Sequence, residues 1–175
     1  NDDVGRAAAG LRSAASGLDN LLLPSGVSGN DVAYQYRKPM GVVGGIIGWN
    51  YPLAMAAGKI GPALAMGNSI VLKPSEFTSL SAIRLAELAL EAGVPPGVIN
   101  IVHGSGATVG AALSGHMDVD MISFTGSSAT GKAIMAAAGN SNMKRVHLEC
   151  GGKSANIIFD DCAENLDKVV ASSVY

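Results

Sequence analysis

Gly41-Val42-Val43-Gly44-Gly45-Ile46-Ile47-Gly48 is followed directly by Trp49-Asn50-Tyr51-Pro52. Eight residues without one polar side chain are expected of a strand covered on both faces, as in the middle of a parallel sheet. Pro52 suits the first turn of a helix, where its missing N–H costs no hydrogen bond, and 52–66 reads as that helix. The same rhythm continues downstream. Strands are predicted over 69–73, 98–102, 121–124, 145–148 and 155–159, and helices over 78–92, 107–114 and 128–138. Thr78 is placed to cap its helix, Ile83, Ala86 and Leu90 form the apolar stripe, and Gly93 ends it. Upstream, Val4, Ala8, Leu11, Ala15 and Leu18 recur at helical spacing, with Gly17 near the end. The stretch from Asn20 to Lys38 mixes Pro24, Gly26 and Gly29 with alternating Val32, Tyr34 and Tyr36, which suggests extended chain or a hairpin. Strands alternating with helices imply right-handed crossovers and an α/β fold, a mostly parallel sheet with helices on both faces.

Composition narrows the function. The 175 residues are enough for one sizeable core, and 48% hydrophobic against 15% charged excludes a disordered tail. A formal net charge of -2 supplies no basic field, so no nucleic-acid partner is expected. The longest apolar stretch, Leu53 to Met66, is broken by Gly58, Lys59, Gly61 and Pro62, and no membrane partner is expected. Two cysteines, Cys150 and Cys162, are too few for a disulfide framework; with no signal peptide in view, a cytoplasmic location is expected. His103, His116 and His147 lack metal-ligand spacing with either Cys, so no metal is expected. The seven methionines lie in apolar runs and read as core filler. The chain opens without Met, and Val169 to Tyr175 reads as a helix in progress, so a piece cut at both ends is expected.

In a parallel sheet, ligands bind at the carboxyl ends of the strands, and three loops there draw notice. His103-Gly104-Ser105-Gly106-Ala107-Thr108-Val109-Gly110 approaches a dinucleotide fingerprint, with its last glycine one place late; close strand–helix packing would also explain it. Gly126-Ser127-Ser128-Ala129-Thr130-Gly131-Lys132 matches seven positions of a phosphate-binding P-loop. The eighth, which should carry a magnesium-binding hydroxyl, is Ala133. Asp160 and Asp161, after an apolar run, would complete such a site, so a nucleotide triphosphatase stays open as an alternative. In the third loop, Trp49 and Asn50 end a buried strand. A turn-forming Asn would account for them, but an Asn amide also suits an oxyanion, donating hydrogen bonds without charge.

Four segments together carry a resemblance: Gly44-Gly45-Ile46-Ile47-Gly48-Trp49-Asn50-Tyr51-Pro52-Leu53, Lys73-Pro74-Ser75-Glu76, Phe124-Thr125-Gly126-Ser127, and Leu148-Glu149-Cys150-Gly151-Gly152-Lys153-Ser154. In order and spacing the chain resembles the aldehyde dehydrogenase superfamily over essentially its whole length. The resemblance implies a Rossmann-like fold and an enzyme oxidising an aldehyde to a carboxylic acid with NAD, or NADP, through a Cys thioester. Asn50 would donate to the aldehyde oxygen, and Glu149 would activate the water that hydrolyses the thioester. Lys59 would join a proton route from Glu149; an amphipathic Lys reaching solvent is the competing reading. Lys73, Ser75 and Glu76 would hold the adenosine ribose, the Glu76 carboxylate opposing a 2′-phosphate. Gly106 and Gly110 would line the adenine side. Phe124, Thr125, Gly126, Ser127 and Thr130 would lie at the pyrophosphate, and the backbone of Ile47, Gly48, Trp49, Cys150 and Gly151 along the cofactor.

The family's Cys nucleophile is expected shortly beyond Tyr175. Cys150, where relatives usually carry Leu, reads as a small buried thiol, and Cys162 as structural. The resemblance divides the chain into a cofactor-binding domain (1–20 and 40–151), a bridging segment that joins subunits (21–39) and the start of a catalytic domain (152–175). The whole enzyme would be a homodimer or homotetramer. A catalytically silent NAD-binding protein is the second alternative.

Overall fold

The computed structural model describes residues 2–17, 22–29 and 31–173. Leu18, Asn20, Val174 and Tyr175, which the sequence placed in a helix end, the extended stretch and a running helix, lie outside them. Helix α1 (Asp2–Ser16) leads to an antiparallel hairpin of β1 (Leu22–Ser28) and β2 (Asp31–Tyr36), with a register shift between Pro24 and Gly26. Then follow β3 (Val42–Ile46), α2 (Pro52–Ala65), β4 (Ser69–Lys73), α3 (Leu80–Glu91) and β5 (Ile99–Ile101). A wide π-turn (Gly106–Gly110) opens α4 (Ala111–Gly115), and β6 (Met121–Thr125), α5 (Ser128–Gly139) and β7 (Arg145–Glu149) complete the sheet. A 3-10 turn (Asp160–Asn165) and α6 (Leu166–Ser173) close the described chain.

The second sheet has five strands in the order β5-β4-β3-β6-β7, all parallel. β3 is its centre, the chain growing outward to β5 and then returning to β6 on the other side. Strand order therefore reverses between β3 and β6, the switch point at which such sheets open a crevice for ligands.

Two apolar layers cover the sheet. Val43, Ile47, Ile70 and Leu72 meet Ala56, Ile60 and Ala63 of α2 and Ala82 of α3. On the other face, Ile46, Ile122 and Phe124 meet Leu113 of α4 and Ile134 of α5. Two-sided burial explains the unbroken apolar run of β3. Its glycines have a tighter reason. A Cβ on Gly44 would come 2.5 Å from Ile122 Cδ1, and one on Gly45 would come 2.6 Å from Leu72 Cδ1. α1 lies against α2 at Gly61, where a Cβ would stand 3.1 Å from that of Ala14.

The expected strand over 155–159 does not form. Its alternation has no neighbouring strand to pair with among the described residues, and Ile157, Ile158 and Phe159 are exposed. Thr78 does not cap α3 either: the helix begins at Leu80 after Ser79, and the Thr78 hydroxyl is buried without a partner. Nor are all the methionines core filler, because Met117, Met135 and Met143 are exposed.

At the amino ends of β3 and β4 a single side chain ties the layers. Buried Asn68 accepts from the backbone N–H groups of Met40 (2.6 Å) and Gly41 (3.0 Å) and donates to the Ala63 carbonyl (3.1 Å). Asn68→Ala strands these groups away from water, at a cost of about 1–3 kcal/mol. Urea unfolding should show a lower midpoint with an unchanged slope.

Candidate functional site

The β3 end is held open by contacts the sequence did not announce. Pro52 occupies the first turn of α2, but Tyr51, its N-cap residue, makes no side-chain cap bond. The cap comes from α1: Asp3 accepts from the backbone N–H groups of Leu53 (3.1 Å) and Ala54 (2.9 Å). A carboxylate suits that position because it meets both unpaired donors and the positive end of the helix dipole. The Arg6 guanidinium lies 5.3 Å from the Tyr51 ring centre, a second tie between α1 and the loop. Trp49 and Asn50 are exposed between these anchors, and the Asn50 Oδ1 atom lies beside Gly48. Asp3 lies in the first turn of α1, and only the packing of α1 on α2 gives it this role.

Beyond β5 and β6, two loops repeat one design. Gly104-Ser105-Gly106-Ala107-Thr108 and Gly126-Ser127-Ser128-Ala129-Thr130 each place a Ser whose Oγ accepts from the Thr N–H three residues on, at 3.2 Å in both. The Ser and Thr hydroxyls are 2.9 Å apart in each loop. Between the two helix starts lies a groove of about 460 Å³, bounded by Ile46, Gly106, Gly110, Ala129, Thr130 and Ile134. Small residues keep it open. A Cβ on Gly110 would meet Lys73 Cδ at 3.9 Å and Ile46 Cδ1 at 4.0 Å, so Lys73 borders the same space. Lys73 is buried, donates to the Pro74 carbonyl (2.8 Å) and pairs with exposed Glu76 at 3.5 Å. The Glu76 carboxyl is held below the usual carboxylate range, first by its own backbone N–H and then by the Lys73 charge. Ser75 is buried, its hydroxyl accepting from the Phe77 N–H at 3.4 Å. Phe124 belongs to the core: its ring packs beneath Gly126, where a Cβ would come 2.5 Å from it.

The P-loop reading fails on geometry. α5 begins at Ser128, so Ala129 through Lys132 are already helical and cannot wrap a phosphate chain. The proposed acidic partner strand before Asp160 is absent as well.

On the opposite face of the sheet, Lys59 of α2 turns inward. Its Nζ donates to Ser123 Oγ at 3.0 Å, in place of the solvent-reaching path the sequence left open. Burial lowers its pKa to about 8, and the Glu149 charge acts in the opposite direction. Ser123 was missed because a lone Ser in an apolar strand has no motif to mark it. Glu149 ends β7 beside Thr125 of β6 and is exposed. Cys150 points the other way, packing on the α5 layer, and a Cβ on Gly131 would come 2.9 Å from its Sγ. Asn50, Thr125 and Glu149 thus stand at the ends of three neighbouring strands, while the groove with Lys73 lies across β3.

The sequence profile of the aldehyde dehydrogenase family matches residues 1–175. The chain belongs to the aldehyde dehydrogenase family. It is 52% identical over 164 residues to the NADP/NAD-dependent aldehyde dehydrogenase PuuC of Escherichia coli (strain K12), covering 93% of this chain and 33% of that protein. It is 54% identical over 144 residues to human aldehyde dehydrogenase 1A1, covering 82% and 28%. The chain thus spans about a third of the length of the relatives it matches. Among solved aldehyde dehydrogenases, P. syringae AldA, an indole-3-acetaldehyde dehydrogenase in complex with NAD+ and IAA, superposes with a TM-score of 0.86 at 51% identity, covering 91% of this chain and 32% of AldA. PnpE in complex with nicotinamide adenine dinucleotide gives a TM-score of 0.88 at 48% identity, covering 97% and 34%. The α/β architecture is therefore the Rossmann-type fold of this family.

The depressed Lys59 pKa has a consequence for stability. Below about pH 8 the folded chain holds a charged, desolvated ammonium; between there and 10.5 only the unfolded chain stays protonated. Stability therefore rises with pH across that window. Lys59→Met should raise the melting temperature more at pH 7 than at pH 10, as thermal unfolding at the two values will show.

Proposed function

We propose that this chain is the cofactor-binding part of an NAD(P)-dependent aldehyde dehydrogenase that converts an aldehyde to a carboxylic acid. The observation that carries this reading is the groove between the Ser105 and Ser127 helix starts, with Lys73 and Glu76 at its border. Its lining of glycine and alanine admits a flat aromatic base, and a larger side chain at Gly110 would fill the space. The fit favours a dinucleotide. Gly106 and Gly110 receive adenine, and Lys73, Ser75 and Glu76 hold the ribose. Thr125, Gly126, Ser127 and Thr130 present a capped helix start, favourable for an anion, to the pyrophosphate. Phe124 supports Gly126 from below, and the backbone of Ile47, Gly48, Trp49, Cys150 and Gly151 borders the nicotinamide side.

NAD, when bound, supplies the hydride acceptor. The chain's own residues do the rest. Asn50 donates its amide to the aldehyde oxygen, stabilising negative charge as it develops without adding charge of its own. Glu149 takes a proton from water, which then hydrolyses the thioester formed on the family's Cys. NAD is preferred over NADP because the Glu76 carboxylate repels a 2′-phosphate. Residues 1–20 and 40–151 form the cofactor domain, 21–39 bridge subunits of a homodimer or homotetramer, and 152–175 begin the catalytic domain. The free cysteines suit a reducing compartment, and we place the enzyme in the cytoplasm. No helix among the described residues is long and apolar enough to cross a membrane.

Calorimetry with NAD, NADP and ATP-magnesium tests the reading directly: NAD binds, and magnesium-dependent ATP binding without NAD binding overturns it. In the full-length protein, Asn50→Ala should lower kcat by about 10²–10³-fold while NAD affinity stays within about twofold. Glu76→Gln should narrow the NAD over NADP preference by about fivefold, because the neutral amide no longer repels a 2′-phosphate.

A further inference from the structure

Ser123 Oγ accepts from Lys59 Nζ at 3.0 Å. The two side chains come from different layers, Lys59 from α2 and Ser123 from β6, and they meet across β3. Gly45 of β3 lies in the same row as Ser123, and the Lys59 stem passes over it, its Cδ 3.6 Å from where a Cβ would stand. The row continues to His147 of β7, two residues before Glu149. Side chains alternate along a strand. Val146, Leu148 and Cys150 face the α5 layer, so Arg145, His147 and Glu149 face the side that Lys59 and Ser123 occupy.

We propose that Ser123 is a positioning residue: it holds the Lys59 amine on the Glu149 side of the sheet, so that Lys59 can take up and release the proton that Glu149 removes from water. This rests on the dehydrogenase reading above. A serine hydroxyl suits the task in both states of the lysine, since it accepts from an ammonium and donates to a neutral amine. The bond to the charged form is the stronger, so Ser123 offsets part of the cost of burying that charge. Other charges do not complicate the picture. α2 has no second ionisable side chain, β3 and β6 have none, and Lys73 of β4 lies on the opposite face, beside Gly110. On α1, Asp3 is engaged at the start of α2, Arg6 with Asp2 and Tyr51, and Arg12 is exposed; on α3, Arg84 pairs with Glu87 and Glu91. Of the β7 groups on this side, Glu149 is the one whose charge acts on Lys59.

The test follows Lys59 directly in the full-length protein, labelled with 13C at the lysine Cε, its signal assigned by loss in Lys59→Arg. Without aldehyde or cofactor, the midpoint should lie near 8 in the parent. It should fall by about one pH unit in Ser123→Ala, as expected for loss of a hydrogen bond to a charged group, and return in Ser123→Thr. Melting curves identify any variant that fails to fold, and Ser123→Cys, a weaker acceptor of similar size, then serves in its place. The alkaline limb of the kcat profile should move down with the midpoint. A midpoint indifferent to Ser123, a parent midpoint at the ordinary 10.5, or a kcat limb that stays fixed while the midpoint moves would each overturn the proposal. Absence of aldehyde oxidation by the parent would overturn the enzymatic reading instead, because the titration is read without turnover.

Discussion

Gly44 and Gly45 are the constraint on which the rest of the structure depends. They sit in the centre of the sheet, on the strand beside which the strand order reverses. On one face the missing Cβ of Gly44 lets Ile122 and Leu113 close over β3; on the other, that of Gly45 admits Leu72 and the Lys59 stem. Glycine in a strand interior costs conformational entropy and packs nothing of its own. Here the loss is offset twice, by tight closure of both layers and by a path for a polar side chain through an apolar layer. A larger residue at Gly45 would first have to displace Leu72, whose Cδ1 would come 2.6 Å from a Cβ there.

From that centre the two faces take different work. The α4–α5 face contributes two helix starts of identical chemistry with a groove between them, and Lys73 reaches the groove because alternation in β4 turns it to that side. The α2 face contributes the proton-bearing groups, Lys59, Ser123 and Glu149. Asn50 stands between the faces at the end of β3, and its loop is held from outside the sheet by Asp3 and Arg6. The groove and the Lys59–Ser123 pair thus lie on opposite faces of the sheet, and both open toward its carboxyl edge.

Much of this was legible in the sequence, for a physical reason. Apolar runs, helix-starting serines and prolines, and glycines at close approaches are local signals, and they placed β3 to β7 and α2 to α5 within a few residues. Long-range partners leave no local trace. Asp3 reads as an ordinary acidic first-turn residue until α1 lies on α2, and Ser123 as an unremarkable strand residue until Gly45 leaves room for Lys59. The converse error has the same origin. Residues 155–159 have the composition of a buried strand, yet composition cannot supply a neighbour to pair with. Thr78 has the right type for a cap, but α3 begins two residues later and leaves its hydroxyl buried.

Strand alternation also separates the two functional candidates at residues 149 and 150. Glu149 and Cys150 are consecutive, which invites a reading of the thiol as a substitute nucleophile beside its base. Adjacent residues at a strand end point to opposite faces. Cys150 lies against Gly131 and the α5 layer. Glu149 is on the other side, within the field of Lys59. A nucleophilic thiol needs its base within hydrogen-bonding reach, and Cys150 is turned from Glu149. It fills the space that a helical glycine opens.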